Sequence, residues 1–92
     1  MKNSHNIYLV SDSTGETLDR IFLALKAQFE SFDYRINQFS FIRTETQIKK
    51  IIENAYRSKN SIILYTIVNS KLAKFLTEES NKKKIPCFGV LG

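Results

Sequence analysis

Side chains suited to binding an anion are concentrated in residues 11–17 of this 92-residue chain. Six of its seven residues are the candidates, namely Ser11, Asp12, Ser13, Thr14, Gly15 and Thr17, which together supply four hydroxyls, one carboxylate and one glycine. A short apolar run precedes it and a helical pattern follows it, so it joins a strand to a helix. Free N–H groups and the dipole at a helix start favour an anion, and glycine lets a ligand approach the backbone. The segment therefore predicts a phosphate-binding loop.

Helix capping offers a purely structural explanation for some of the same residues. In a capping box, Ser13 would accept a hydrogen bond from the N–H of Glu16, whose side chain would reach back. Thr44 fits the same template at a second helix, and Asn69 or Ser70 could cap a third. Each cap stabilises its helix by about 1 kcal/mol. Capping does not require so many hydroxyls around one glycine, however, and both roles stay open for the first loop.

Two other strand ends add candidate residues, because ligands of open parallel sheets bind where strands end and helices begin. Arg43 and Thr44 lie at one such end, and Thr66 lies at another. The planar guanidinium of Arg43 could hold a phosphate or carboxylate, or could pair with Glu45 or solvent. Asp12, in the first loop, could serve as a base, bind magnesium or accept hydrogen bonds from loop amides. The sequence favours the last of these roles.

The sequence lacks the common nucleotide-binding signatures. It has no GxxxxGK[ST] segment, hence no lysine placed to meet a β- or γ-phosphate, and no GxGxxG segment. It has one histidine, His5, and one cysteine, Cys87, so neither a CxxC motif nor an intrachain disulfide can form. We therefore expect no metal site, and an anion site that is not a complete nucleotide site.

Alternating strand and helix patterns must position these loops. Four apolar or β-branched segments predict strands: Ile7–Val10, Tyr34–Phe41, Ser61–Val68 and Ile85–Leu91. Three apolar stripes predict the helices between them: Leu18, Ile21, Phe22, Leu25 and Phe29, then Ile48, Ile51, Ile52 and Ala55, then Leu72, Ala73, Phe75 and Leu76. The first strand is continuously apolar and should be buried on both faces, whereas the second partly alternates and suits a sheet edge.

The resulting β-α-β-α-β-α-β order predicts an α/β fold. We expect an open parallel sheet of about four strands, Rossmann-like, with right-handed crossovers and helices on its faces. Residues 1–92 are interpreted as a single α/β domain. The sequence stops at the end of a predicted strand, although both faces of a parallel sheet need cover. We therefore expect a piece of a longer protein or a module that pairs with another copy.

Composition and charge narrow the classes of partner. The chain is 42% hydrophobic and carries a formal net charge of +5, which suits anionic partners. Its densest basic cluster, Lys82–Lys84, follows a helical segment and is interpreted as a solvated helix end rather than a nucleic-acid surface. Cys87 is expected to be a small buried hydrophobe in a strand. No apolar run approaches the ~20 residues that cross a bilayer, and no signal peptide is recognisable, so we expect no membrane association and a cytoplasmic location.

The segment Ile7–Thr17 resembles the N-terminal signature of the pyruvate, phosphate dikinase regulatory proteins, which include the phosphoenolpyruvate synthase regulatory proteins. Phe41–Thr44 and Leu64–Val68 agree with this family in place and spacing, and Ile85–Phe88 lies where the family has a similar strand. The positions that match the family and could bind phosphate are Ser11, Asp12, Ser13, Thr14, Gly15, Thr17, Arg43, Thr44 and Thr66. The resemblance does not identify catalytic residues in this chain.

The resemblance implies a bifunctional serine/threonine-protein kinase and pyrophosphorylase. Such enzymes phosphorylate a Thr of the dikinase, or of the synthase, with ADP as donor, and reverse this with inorganic phosphate, releasing pyrophosphate. The family's P-loop-like nucleotide motif lies downstream of the region matched here, so we expect an N-terminal part that binds no cofactor and lacks kinase activity alone. ADP and phosphate would be substrates of the parent enzyme. The alternative is a non-catalytic α/β module for dimerisation, as in a homodimer, or for docking the partner.

Overall fold

The computed structural model describes residues 5–26, 34–58 and 60–90. Strands and helices alternate along the chain, as predicted. They are β1 (His5–Ser11), α1 (Glu16–Lys26), β2 (Tyr34–Phe39), α2 (Glu45–Arg57), β3 (Ser61–Thr66), α3 (Ser70–Lys82) and β4 (Cys87–Gly89).

The four strands form one parallel sheet in the order β2-β1-β3-β4. Val10 of β1 pairs with Phe39 on one side and Tyr65 on the other, and Ser11 pairs with Thr66. From β1 the chain passes outward to β2, then crosses back over β1 to reach β3. The carboxyl ends of β1 and β3 therefore form the topological switch point, where open α/β sheets place their ligands.

Side chains of β1 alternate between two apolar layers and are buried on both faces, as predicted. Tyr8 and Val10 contact the layer formed by α2 and α3, whereas Leu9 contacts the layer formed by α1. All four residues of the predicted α2 stripe are at most 2% exposed, namely Ile48, Ile51, Ile52 and Ala55. This packing fixes the carboxyl end of β1 relative to both layers, and so fixes the loop that follows it.

The helices α1 and α3 follow their predicted stripes only in part. Of the α3 stripe, Leu76 is fully buried and the other three residues are partly buried. Ser80 is also fully buried, and its hydroxyl donates to the carbonyl of Leu76 at 2.7 Å, which satisfies this buried polar group. In α1, Leu18 and Phe22 are buried, while Phe29 and the side chain of Leu25 lie outside the described residues. No helix in the described part of the chain is long and apolar enough to cross a membrane.

Three strands are shorter than predicted. β2 ends at Phe39 because Phe41 adopts a left-handed backbone with φ of 56°. β3 ends at Thr66 because the N–H of Val68 donates to a side chain instead of a neighbouring strand. β4 covers only Cys87–Gly89 of the predicted Ile85–Leu91, and Leu91 itself lies outside the described residues.

The expectation that β4 is a buried strand is wrong for Phe88, which is 56% exposed. Phe88 pairs with Leu64 and shares its face of the sheet, which is the face that α1 covers. Within the described residues α1 packs against β1 and β3 but not against β4. Cys87, on the opposite face, packs against the core but is only half-buried, so its predicted burial is met in part.

Candidate anion site at the switch point

The loops that follow β1 and β2 are joined by backbone hydrogen bonds at the carboxyl edge of the sheet. The N–H of Ile42 donates to the carbonyl of Ser11 at 2.9 Å, and the N–H of Phe41 donates to the carbonyl of Ser13 at 3.0 Å. Arg43 follows directly. The structure therefore brings together the first loop and Arg43, which the sequence predicted only from their positions at strand ends.

Asp12 connects the first loop to the end of β3 on the other side. Its backbone N–H donates to the carbonyl of Thr66 at 3.3 Å, and its Oδ2 accepts a hydrogen bond from the backbone N–H of Val68 at 2.8 Å. The interpretation of Asp12 as an acceptor for a loop amide is confirmed. Its carboxylate thus holds the β1 and β3 ends together at the switch point.

The hydroxyl of Ser11 lies at the centre of a small hydrogen-bond cluster. Ser11 is 1% exposed, and its Oγ accepts from the backbone N–H of Ser13 at 3.1 Å and from Oγ1 of Thr66 at 3.3 Å. The Oγ of Ser13 lies 3.2 Å from the same atom. The buried Ser11 and the half-buried Thr66 therefore stabilise the loop conformation through hydrogen bonds, whereas Ser13 and Thr14 are exposed at its surface.

Gly15 has a left-handed backbone, with φ of 85°. A Cβ atom at this position would lie 2.9 Å from Nε2 of Gln38 and 3.4 Å from Oγ of Ser40. Both neighbours are engaged, since Gln38 donates to Oδ1 of Asp19 and Ser40 donates to the carbonyl of Thr14. Glycine is thus required here for conformation and for the close approach of the β2 end.

The predicted capping box at Ser13 and Glu16 is wrong. The first helical hydrogen bond runs from the N–H of Asp19 to the carbonyl of Gly15, so Gly15 occupies the N-cap position and Ser13 precedes it by two residues. The hydroxyl of Ser13 lies against Ser11 instead. A long contact of 3.4 Å joins the N–H of Glu16 to Oγ1 of Thr14.

The start of α1 consequently retains free hydrogen-bond donors. Among residues 5–26, 34–58 and 60–90, nothing accepts from the backbone N–H groups of Gly15 and Thr17. The side chain of Thr17 is exposed beside them. Unpaired N–H groups in the first helical turn are the donors with which helices bind anions.

Arg43 contacts the first loop through one edge of its guanidinium group. Its Nε donates to the carbonyl of Asp12 at 3.2 Å, and its Cζ lies 5.9 Å from the centre of the Phe41 ring. The alternative ion pair with Glu45 does not form between these described residues. The Nη groups of the exposed guanidinium donate to no described residue, so they are available to another acceptor.

Thr44 serves as a helix cap, which confirms the predicted capping box at α2. Its Oγ1 accepts from the N–H of Gln47 at 3.2 Å, and Oε1 of Gln47 accepts from the N–H groups of Thr44 and Arg43 at 3.0 and 2.7 Å. Asn69 caps α3 by accepting from the N–H of Leu72 at 3.0 Å. The Thr44 hydroxyl is therefore used within its own helix and not by the first loop.

Comparison with known proteins identifies the family. The family model described as kinase/pyrophosphorylase matches residues 7–92.

The chain belongs to the kinase/pyrophosphorylase family.

It is similar to proteins named as pyruvate, phosphate dikinase regulatory proteins. One from Pelagibacter ubique (strain HTCC1062) is 58% identical over 92 residues, which is 100% of this chain and 34% of that protein. One from Alkaliphilus oremlandii (strain OhILAs) is 41% identical over 92% of this chain and 30% of its own length. The kinase/pyrophosphorylase chain thus spans about a third of the length of the curated relatives it matches.

Two exposed apolar residues beside the site were missed by the sequence reasoning. Phe41 was interpreted as the end of a strand, and Val68 as the end of another, yet the structure places both in loops, 55% and 80% exposed. Gln38 and Ser40, which pack against Gly15, were missed as well. No local pattern distinguishes these residues from ordinary strand residues, because their roles depend on the first loop of the kinase/pyrophosphorylase chain.

The basic residues after α3 lie at the opposite edge of the sheet. As predicted, they form a helix end: α3 ends at Lys82, which pairs with Glu79 at 2.9 Å, and Lys83 is the C-cap, with its Nζ 4.9 Å from the centre of the Tyr56 ring. A cavity of about 420 Å³ opens beside Lys83 and Lys84. In the described part of this kinase/pyrophosphorylase chain, no three His, Cys, Asp or Glu residues group as metal ligands would.

Proposed function

We propose that this chain is the N-terminal α/β part of a bifunctional enzyme that regulates pyruvate, phosphate dikinase or phosphoenolpyruvate synthase. The enzyme transfers the terminal phosphoryl group of ADP to a Thr hydroxyl of the partner, which inactivates the partner and leaves AMP. In the reverse direction, inorganic phosphate attacks the phosphothreonine, the Thr hydroxyl leaves, and pyrophosphate is released. The kinase/pyrophosphorylase family match and the names of the relatives support this proposal.

Within that enzyme, residues 11–17 and Arg43 bind a phosphate group of a substrate or product. The observation that carries this assignment is the position of the first loop at the β1/β3 switch point. The loop contains the free N–H groups of Gly15 and Thr17, and the guanidinium of Arg43 contacts it. Phosphoryl transfer depends mainly on positioning and on stabilising charge. A loop held on both sides by backbone hydrogen bonds supplies positioning, and Arg43 supplies charge.

The same loop is not assigned to ADP. It has no lysine for a β-phosphate and no glycine-rich nucleotide motif. We place ADP binding in residues outside this chain, and expect the chain alone to have no kinase activity. A kinase assay of residues 1–92 with ADP and the dikinase tests this expectation, and measurable phosphorylation would contradict it.

Titration with phosphate and pyrophosphate tests the anion site directly. We expect the backbone amide resonances of residues 12–17 and 41–43 to shift with a dissociation constant of about 1 mM, which corresponds to roughly 4 kcal/mol. Arg43→Ala should weaken binding severalfold. Arg57→Ala, which removes an exposed arginine from the far end of α2, is the matched control and should not. Unchanged loop resonances at tens of millimolar ligand would refute the assignment.

A docking role is the second candidate, and exposed apolar side chains favour it. Leu23 of α1 and Phe88 of β4 are 62% and 56% exposed. In this alternative the first loop is only a structural turn, and the chain binds the partner enzyme or a second copy of itself. Ser13→Ala and Arg43→Ala would then leave phosphorylation and phosphorolysis near normal in the longer enzyme, while Phe88→Thr would weaken the association.

A further inference from the structure

The cavity of about 420 Å³ lies at the amino edge of the sheet, where β3 and β4 begin. It is formed between the end of α2, the start of β3 and the turn that leads from α3 to β4. β3 runs from this edge to the switch point over Ser61–Thr66, so the cavity and the first loop are separated by roughly 16 Å of strand. The cavity is therefore distinct from the phosphate site proposed above.

The side chains around this cavity give it a positive charge. Lys83, Lys84 and His5 line it, and no carboxylate is among its lining residues in the described part of the chain. The neighbouring Lys82 pairs with Glu79, whereas no ion pair forms between the described carboxylates and either lining lysine. The C-terminal ends of α2 and α3 lie beside the cavity, and each contributes about half a negative charge. Two full lysine charges exceed this contribution, so the cavity favours an anion.

Lys84 occupies a backbone position that ordinarily holds glycine. α3 ends at Lys82, Lys83 is its C-cap, and Lys84 follows with a left-handed φ of 59°. The N–H of Ile85 donates to the carbonyl of Ser80 at 2.9 Å, which is the hydrogen bond of a Schellman motif. Glycine adopts the left-handed conformation of this motif without strain, and lysine does not. The turn itself thus favours glycine, which allows a structural role of Lys84 to be separated from a role at the cavity.

Apolar groups form the rest of the lining. Ala55, Ile62 and Ile85 contribute aliphatic surface, and Tyr56 contributes its ring. The Nζ of Lys83 lies 4.9 Å from the centre of that ring, a cation–π contact that holds the lysine beside the cavity. The volume lies in the range of small-molecule sites and is far larger than inorganic phosphate needs. The cavity therefore combines room for an organic group with charges for an anion.

We propose that this cavity binds a small organic phosphate, that is, a phosphate monoester with an apolar body. A monoester carries close to two negative charges at neutral pH, which matches the charges of Lys83 and Lys84. Its organic body would contact Tyr56 and the aliphatic side chains. Inorganic phosphate lacks the body and a neutral aromatic compound lacks the charge, so neither uses the whole lining. This site is additional to the proposed function and does not depend on it.

Titrations of the chain with 1-naphthyl phosphate, 1-naphthol and inorganic phosphate test this site through the backbone amide resonances. Naphthyl phosphate should shift the resonances of residues 55–58, 60–62 and 83–85, and should bind there at least about tenfold more tightly than either other probe. Lys84→Gly should weaken this binding about fivefold, as expected for one charge pair near water. The same variant should raise the melting temperature by roughly 2–8 °C, because it removes the left-handed strain. Lys71→Ala removes an exposed lysine from the first turn of α3, at the opposite end of that helix, and is the matched control that should leave the affinity unchanged.

Equal affinities for naphthyl phosphate and naphthol would refute the role of the lysines, and equal affinities for naphthyl phosphate and inorganic phosphate would refute the role of the apolar lining. Either result overturns the proposal, as does an unchanged affinity of Lys84→Gly. Shifts confined to residues 12–17 and 41–43, or no shifts near the cavity at about 10 mM naphthyl phosphate, would overturn it as well. The response of the first loop to inorganic phosphate is read in the same titration, so failure of the cavity site is distinguished from failure of the first-loop site.

Discussion

Replacement of Gly15 by alanine should destabilise the chain by about 1.5–3 kcal/mol. The left-handed φ of 85° contributes about 1–2 kcal/mol for any residue with a Cβ. The added Cβ would also lie 2.9 Å from Nε2 of Gln38, so that exposed amide must shift, which disturbs its hydrogen bond to Asp19. An exposed hydrogen bond of this kind contributes about 0.5–1 kcal/mol. The two effects together give the predicted loss.

Urea and thermal unfolding of the native chain and Gly15→Ala measure this loss. At about 4–8 °C per kcal/mol for a domain of this size, the melting temperature should fall by roughly 10–20 °C. The double-mutant cycle with Gln38→Ala separates the two causes. In the Gln38→Ala background, Gly15→Ala should cost only the backbone part, about 1–2 kcal/mol. A cost below about 0.5 kcal/mol in the native background would refute the requirement for a left-handed residue. A cost that is equal in both backgrounds would refute the contact with Gln38.

Three further predictions concern other parts of the chain. Ser11→Ala removes the buried acceptor for the Ser13 N–H, so it should lower the free energy of unfolding in urea by about 1–3 kcal/mol and weaken phosphate binding. An unchanged free energy of unfolding together with unchanged phosphate affinity would contradict the positioning role of Ser11. Thr44→Ala should cost about 1 kcal/mol as the loss of the α2 cap, with phosphate affinity unchanged, and a selective loss of phosphate affinity would instead make Thr44 a ligand. Burial raises the pKa of the Cys87 thiol above its ordinary value of 9.0, so its contribution to stability is fully present below pH 9 and is lost as the pH rises through the folded-state pKa. Urea unfolding from pH 8 to 10 should show this decline in stability, and Cys87→Ala should reduce the decline. An identical decline in Cys87→Ala would assign it to other groups, such as Tyr65, whose pKa is also raised by burial.

The regular elements were predictable because their signals are local. The continuous apolar run of β1 marks a central strand, and the partial alternation after Tyr34 marks an edge strand, which β2 is in the described sheet. The α2 stripe repeats at helical spacing and is buried throughout. In each case the periodicity of the side chains alone determines which face meets the core.

The details of the site were less predictable because they depend on contacts between distant residues. Asp12 could be interpreted as an acceptor, but its donor, Val68, is 56 positions away. The left-handed conformation of Phe41 is imposed by the first loop and leaves no local sequence signal. The capping box at Ser13 failed because Gly15 takes the N-cap position, where Ser is ordinarily at least as favourable. Sequence thus located the loops, and tertiary contacts determined the use of each side chain.

The charges around the first loop limit how tightly it can hold a free anion. Arg43 is accompanied by the carboxylates of Asp12, on the loop itself, and of Glu16 and Asp19, in the first turn of α1. Near water each charge pair contributes only about 1 kcal/mol, so the repulsion from three carboxylates offsets the attraction of one cation, and the affinity of the loop for an anion must come mainly from its N–H groups. Tight capture of free phosphate would need further cations. The electrostatics of the loop therefore predict weak binding of free phosphate, in keeping with the dissociation constant of about 1 mM expected above.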